Sequence, residues 1–228
     1  MTRLVLLHGF AGGRGSFPQK LDALAPDLPG HGDAPDAVSW EACLDPLEPL
    51  VDERTTLFGY SMGARIALAL ALRRPVARLV LESGTAGIED EAERARRRAD
   101  DEELARLLDK GDMLEFVRRW ERHPALASLR DFADSLRAER LRHRPAGLAS
   151  ALRKLGTGAQ PSYWAQLSSL RAPVTLIAGE RDEKFAAIAR RMHSLLPQSE
   201  LRLIDGAGHA PHIEQPQAFL GALRWNGS

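Results

Sequence analysis

The pentapeptide Gly59-Tyr60-Ser61-Met62-Gly63 has the form G-x-S-x-G, a serine with a glycine two positions away on each side. It follows the apolar run Thr55 to Phe58 and opens the alanine- and leucine-rich stretch Ala64 to Leu72, so strand, sharp turn and helix are expected in that order. The turn demands small residues around the serine. It also lifts the Ser61 hydroxyl to a helix N-terminus, where developing negative charge is favoured. A serine hydroxyl alone is a weak base and a weak nucleophile, and it needs a histidine to take its proton and a carboxylate to orient that histidine.

Both partners are available after short apolar runs. His209, in Asp205-Gly-Ala-Gly-His209-Ala-Pro-His212, follows Leu201 to Ile204, and Asp182, in Gly179-Glu-Arg-Asp182, follows Val174 to Ala178. Ser61, Asp182 and His209 therefore fall in the order Ser…Asp…His. His212 is the rival base, read as a structural or surface histidine. Asp205 is the rival acid, poorly placed on the same loop to reach behind the His209 ring. His8-Gly9-Phe10 directly follows the run Leu4 to Leu7. The backbone N–H groups of Phe10 and Met62 are the expected oxyanion-hole donors, one from that loop and one from the residue after the serine.

Other motifs do not reach a chemistry. Gly12, Gly13 and Gly15 lack the Gly-Lys-Ser/Thr of a phosphate loop, and Pro18 follows where a dinucleotide fingerprint requires a third glycine. They are read as loop flexibility beside the site. His209-x-x-His212 without HExxH makes no zinc site, so neither metal nor cofactor is expected. Asp27-Leu-Pro-Gly30-His31-Gly32 reads as a tight turn after another strand, with His31 stabilising the turn.

The elements that must position these residues follow from the apolar pattern. Leu4–Leu7, Thr55–Phe58, Leu79–Leu81, Val174–Ala178 and Leu201–Ile204 are short runs without polar alternation, as in strands buried on both faces of a parallel sheet. Helical stretches at 64–72 and 185–196 separate consecutive runs, giving βαβ units and helices on both faces of a mostly parallel α/β sheet. Between residues 89 and 144 stand 14 Lys/Arg and 15 Asp/Glu, with Leu, Phe and Trp at helical intervals. This segment reads as amphipathic helices inserted into the sheet's progression, most of the charge being a solvated face.

Composition agrees. The chain has 228 residues, 44% hydrophobic and 27% charged, which excludes disorder and suits one domain with an insertion. With Lys+Arg and Asp+Glu both at 31 there is no overall field to attract nucleic acid or an anionic membrane, so any basic site must be local. The single cysteine, Cys43, forms no internal disulfide, and no run approaches a membrane span or a signal peptide, so a cytoplasmic protein is expected. No signal specifies an oligomeric state.

The elbow, His8-Gly9-Phe10, Asp27-Leu-Pro-Gly-His-Gly32 and Gly206-Ala-Gly-His209 together resemble the α/β-hydrolase superfamily. More selective are Gly156-Thr-Gly-Ala-Gln160-Pro-Ser-Tyr-Trp164, Leu81-Glu-Ser-Gly84, Gly179-Glu-Arg-Asp-Glu-Lys184-Phe185 and Ser61-Met-Gly-Ala-Arg65. This set resembles the 2-succinyl-6-hydroxy-2,4-cyclohexadiene-1-carboxylate synthases of menaquinone biosynthesis over nearly the whole chain. The resemblance implies an α/β-hydrolase core at 1–87 and 156–228, a helical cap at 88–155, and the triad and oxyanion donors named above. It further implies that Arg65, Arg97 and Arg140 bind the carboxylates of a small polycarboxylate substrate, with Tyr60 and Trp120 lining the pocket. Arg96 and Arg98 stand as alternatives to Arg97, and Arg142 to Arg140. The implied reaction is a cofactor-free elimination of pyruvate with Ser61 as base. A serine hydrolase (carboxylesterase, thioesterase or C–C hydrolase) using the same triad as nucleophile is the second reading, and a non-catalytic receptor-type binder the third. Ala86 departs from the family's proline, the stretch from Gly12 to Asp27 is short for a helix plus a strand, and the usual N-terminal hairpin is expected to be missing.

Overall fold

The computed structural model describes residues 3–17 and 21–223, so Pro18, used above against a dinucleotide fingerprint, lies outside it. Five strands form one parallel sheet in the order β1-β2-β3-β4-β5: β1 Arg3–Leu7, β2 Thr55–Tyr60, β3 Arg78–Glu82, β4 Val174–Gly179 and β5 Ser199–Ile204. Successive side chains of a strand point to opposite faces, and here both faces are apolar. Val5, Leu57, Leu79 and Leu176 pack on one side, under α1 Trp40–Leu44, α2 Met62–Arg73 and α7 Glu183–Leu195. Leu6, Phe58, Val80 and Ile177 pack on the other, with Phe219 and Ala222 of α9 Pro216–Ala222 and with Leu126 and Leu129 of a 3-10 segment, Pro124–Phe132. The unalternating runs of the sequence are explained by this two-sided burial.

One expectation is corrected. No further strand lies between β1 and the Asp27–Gly32 turn among the described residues; Leu24 makes only an isolated parallel bridge with Val5, its N–H donating to Leu4 O at 3.0 Å and its C=O accepting from the Leu6 N–H at 2.8 Å. Pro26 and Pro29 remove ladder donors immediately afterwards, so pairing stops at one residue. The bridge still matters. It lies on the side of β1 away from β2, so the chain leaves β1 in one direction and returns on the other, and the carboxyl end of β1 becomes the switch point where such sheets bind ligands.

Between β3 and β4 lie α3 Glu91–Asp109, α4 Met113–Glu121, the 3-10 segment, α5 Ala133–Leu141 and α6 Pro145–Leu155. This insertion has an apolar centre of its own, including Ala105, Leu108, Phe116, Val117, Leu148 and Leu152, which meets the β1 loop at Ala11. The Phe10 ring stands 4.9 Å from Trp120 in an edge-on contact. Among the described residues no helix is long and apolar enough to cross a membrane.

Candidate active site

Ser61 ends the β2 turn and caps α2 with φ 51° and ψ −106°, a conformation L-residues rarely adopt. The glycines on either side permit it. A Cβ on Gly59 would stand 2.3 Å from Gly63 O, and one on Gly63 would stand 2.0 Å from Leu7 O, so neither position admits a side chain. The strained turn presents Ser61 Oγ to the loop that follows β5, where His209 Nε2 lies 3.2 Å away. His209 Nδ1–H donates to Asp182 Oδ2 at 2.6 Å, and this bond fixes the tautomer that leaves Nε2 free to accept from the serine. Asp182 divides its oxygens: Oδ1 accepts the Phe185 N–H at 3.2 Å, capping α7, while Oδ2 serves the histidine. The side chains of His209 and Asp182 are only 5% and 9% exposed, so little water competes for this chain of hydrogen bonds.

The two rivals fall elsewhere. His212 is buried and its N–H and Nδ1 both engage Glu82 Oε1, at 3.0 and 2.8 Å. Asp205 makes no hydrogen bond or ion pair with His209. Phe10 occupies the turn after β1, beside the serine: a Cβ on the neighbouring Gly9 would stand 3.6 Å from Ser61 Cβ. Met62 is the first residue of α2, where an N–H has no carbonyl partner within the helix. The loop bearing Phe10 is pinned by two buried histidines. His31 Nε2 accepts the Ala11 N–H at 3.0 Å, and His8 Nε2 accepts the Leu28 N–H at 3.1 Å. Burial keeps both rings neutral, lowering the pKa of His8 to about 4, with added repulsion from His143, and that of His31 well below the usual range, with added repulsion from His8 and His143. His31 thus holds the loop next to the serine as well as its own turn.

A cavity of about 1220 Å³ covers the serine, and all ten residues singled out by the sequence line it: Phe10, Tyr60, Ser61, Met62, Arg65, Arg97, Trp120, Arg140, Asp182 and His209. Helical spacing separates some of the arginines. Arg65 is one turn after Ser61 on α2 and so faces the same way. On α3, Arg97 shares a face with the buried Asp101, Ala105 and Leu108, whereas Arg98 turns outward to Glu91 and Gly158 O. Arg142 is 80% exposed and does not line the cavity; Arg96 does, as do Arg181, Lys184 and Arg191, which the sequence reading did not single out.

The three arginines are held differently. Arg97 pairs with Asp101, Nε at 3.0 Å and Nη2 at 2.9 Å from Oδ1, and Arg140 pairs with Glu121 Oε1 at 3.0 Å. Arg65 has no carboxylate. Its Nη1 donates to Gln160 Oε1 at 3.4 Å, and its guanidinium carbon lies 5.8 Å from the centre of the Trp40 ring. Gln160, fully buried, is set by its own donation to Thr85 O at 3.2 Å, which gives the Gly156-to-Trp164 motif a job that spacing alone did not reveal. Burial, then repulsion from Arg97, lowers the Arg65 pKa to about 9 against the pull of Asp101, so the group remains a cation at neutral pH. Among the described residues no group of three or more His, Cys, Asp and Glu is arranged to hold a metal ion.

A serine, aspartate and histidine in that sequence order on the carboxyl edge of a parallel sheet, under a helical insertion, define a serine-dependent α/β enzyme site. The model of the alpha/beta hydrolase family matches residues 4–222. A Bacillus subtilis protein described as a candidate 2-succinyl-6-hydroxy-2,4-cyclohexadiene-1-carboxylate synthase is 38% identical over 95% of this chain and 86% of its own. The synthase of that name from Klebsiella pneumoniae is 34% identical over 96% of this chain and 91% of its own. The solved structure of MenH from S. aureus superposes with a TM-score of 0.90 at 35% identity, covering 97% of this chain and 93% of that one. The chain belongs to the alpha/beta hydrolase family and, within it, to the 2-succinyl-6-hydroxy-2,4-cyclohexadiene-1-carboxylate synthases.

Proposed function

We propose that this protein is a carbon–oxygen lyase of menaquinone biosynthesis, acting in the cytoplasm, that eliminates pyruvate from 2-succinyl-5-enolpyruvyl-6-hydroxy-3-cyclohexene-1-carboxylate to give 2-succinyl-6-hydroxy-2,4-cyclohexadiene-1-carboxylate. The names of substrate and product define the bond changes. The proton at ring carbon 2 is lost, the double bond at carbon 3 becomes a 2,4-diene, and the C–O bond at carbon 5 breaks. The leaving group departs as the enolate of pyruvate and takes up a proton. Carbon 2 bears the succinyl ketone, so the charge left by deprotonation spreads onto a carbonyl oxygen, for which an oxyanion hole is the fitting partner.

In this reading Ser61 is the base, His209 accepts its proton through Nε2, and Asp182 stabilises the resulting imidazolium. The Phe10 and Met62 amides take the enolate oxygen. The substrate carries three carboxylates, matched by Arg65 from the sheet side and by Arg97 and Arg140 from the insertion, here read as a cap over residues 88–155. Guanidinium forks suit carboxylates because both present two parallel hydrogen-bonding positions. Tyr60 and Trp120 would form the walls. The observation that carries the reading is the convergence in one cavity of a hydrogen-bonded Ser61–His209–Asp182 set with three arginines from three different helices. The test is to supply the enolpyruvyl intermediate and follow pyruvate release, with rapid acid quench and mass spectrometry of the protein. Pyruvate is expected to appear without a covalent species on Ser61. An adduct that forms and decays at the turnover rate would turn the assignment to a serine hydrolase.

A further inference from the structure

One carboxylate touches the His209 ring, but another grips the loop that carries it. Glu214, the last residue of α8 Pro211–Glu214, accepts the Gly208 N–H on Oε2 at 2.7 Å and the Ala210 N–H on Oε1 at 2.9 Å. These two amides flank His209, so a single side chain fixes peptide groups on both sides of the residue and thereby the direction in which its Cβ points. A carboxylate suits the task, because it offers two acceptor oxygens at a fixed separation and binds amides more strongly than a neutral acceptor.

Oε1 has one more partner. The Ser128 hydroxyl donates to it at 3.1 Å, and Ser128 belongs to the 3-10 segment of the helical insertion. A glycine makes room for this approach, since a Cβ on Gly208 would stand 2.2 Å from Ser128 Oγ. The loop is anchored again two residues further on, where Glu82 accepts the His212 N–H. Neither Glu214 nor Ser128 belongs to the serine-histidine-aspartate set.

We infer that Glu214 is a positioning residue for His209, and that Ser128 ties this positioning to the docked helical insertion. The inference rests on the reading of His209 as general base. That ring must meet Ser61 and Asp182 at once, at 3.2 and 2.6 Å, and a small rotation of the loop loses the longer contact first. Glu214→Gln keeps the size of the side chain but replaces one acceptor oxygen by a donor facing an N–H.

In full-length Glu214→Gln, kcat for pyruvate release is expected to fall on the order of ten- to a hundredfold with KM nearly unchanged, the size of loss that sub-ångström to ångström misplacement of a catalytic group produces. The low-field proton resonance of His209 Nδ1–H is expected to broaden or vanish, although the protein stays folded by circular dichroism. A folded Glu214→Gln with wild-type kcat and a sharp resonance overturns the inference. Ser128→Ala, which removes a single hydroxyl, provides the second arm: a smaller kcat loss with partial broadening supports the tie to the insertion, and an unchanged resonance and kcat refute it. Should Glu214→Gln not fold, this arm alone decides. If the wild-type protein releases no pyruvate while the resonance responds as described, the lyase assignment fails and the positioning role stands.

Discussion

Arg65→Met separates the cost of the binding site to the fold from its value to the reaction. Arg65 is 7% exposed, its one side-chain hydrogen bond among the described residues is a long one to a neutral amide, and Arg97 repels it. A buried cation without a direct ion pair, attracted only at a distance by Asp101, pays a desolvation cost that such contacts do not return, so replacing it with an apolar side chain of similar length is expected to be neutral or stabilising. A gain of about 1 kcal/mol raises Tm by roughly 2–4 °C for a chain of this size. Activity moves the other way. A charge-assisted hydrogen bond to a carboxylate in a partly dry cavity is worth about 1.5–3 kcal/mol, so kcat/KM for the enolpyruvyl intermediate should fall about ten- to a hundredfold. The assay pairs thermal unfolding with kinetics on the intermediate and on a small neutral ester, with Arg106→Ala as an exposed control on α3. The ester, if turned over, has no carboxylate to leave unpaired and should respond little. A drop of several degrees in Tm with equal losses on both substrates would refute the reasoning, since Arg65 would then be a structural residue.

The triad assignment predicts that Ser61→Ala and His209→Ala each lose at least about a thousandfold in turnover while remaining folded, with Asp182→Asn similarly damaged through loss of histidine orientation. Asp205→Asn should be close to wild type, and a crippled Asp205→Asn beside a healthy Asp182→Asn would reverse the assignment of the acid. His8 predicts acid sensitivity of the fold: its pKa falls from 6.5 to about 4 on burial, so above pH 6.5 it is neutral in both states and contributes nothing to the pH dependence. Below that the unfolded chain takes the proton first, and stability is lost by up to about 3 kcal/mol as the pH approaches 4. Urea unfolding of the wild type and His8→Gln at several pH values checks this, and equal slopes would remove His8 from the account.

The triad was legible because its grammar is local. Gly59 and Gly63 are dictated by a turn too tight for a Cβ, and Asp182 and His209 each lie in the short loop after a strand that the apolar runs reveal. The five strands were legible for a similar reason, since two-sided burial removes polar alternation. The Leu24 bridge was overread as a strand because Pro26 and Pro29 act on pairing, which an apolar pattern does not register. Glu214 escaped because its role is exercised through the backbone of another stretch and through Ser128, 86 residues away in the chain. Of the alternatives to the arginine register, the helical faces set aside Arg98 and Arg142 and leave Arg96 beside Arg97 on the cavity, and Arg97-x-x-x-Asp101 already held the clue of an i, i+4 pair on the buried side.

The neutrality of the chain acquires a physical reading from how its charges are spent. Much of the insertion's charge is paired on its surface, as in Arg98–Glu91, Arg106–Glu102 and Arg119–Glu103, where exposed pairs are worth little and mainly keep the helices solvated. The two arginines turned inward arrive with their own carboxylates, Asp101 and Glu121, so an incoming substrate carboxylate must compete with or share a partner already in place. Burial raises the Asp101 pKa against the pull of Arg97 and Arg65, which weakens Asp101 as a competitor. Arg65 has no such partner. An anion reaching it displaces no ion pair and relieves its repulsion with Arg97, so under the proposed function the carboxylate contact at Arg65 is expected to carry the largest net gain of the three. Loss of Arg97 leaves Asp101 stranded at the cavity wall, whereas Glu121 keeps Arg137 as a partner when Arg140 is lost. Removing Asp101 together with Arg97 should therefore recover part of the activity lost by Arg97→Ala alone.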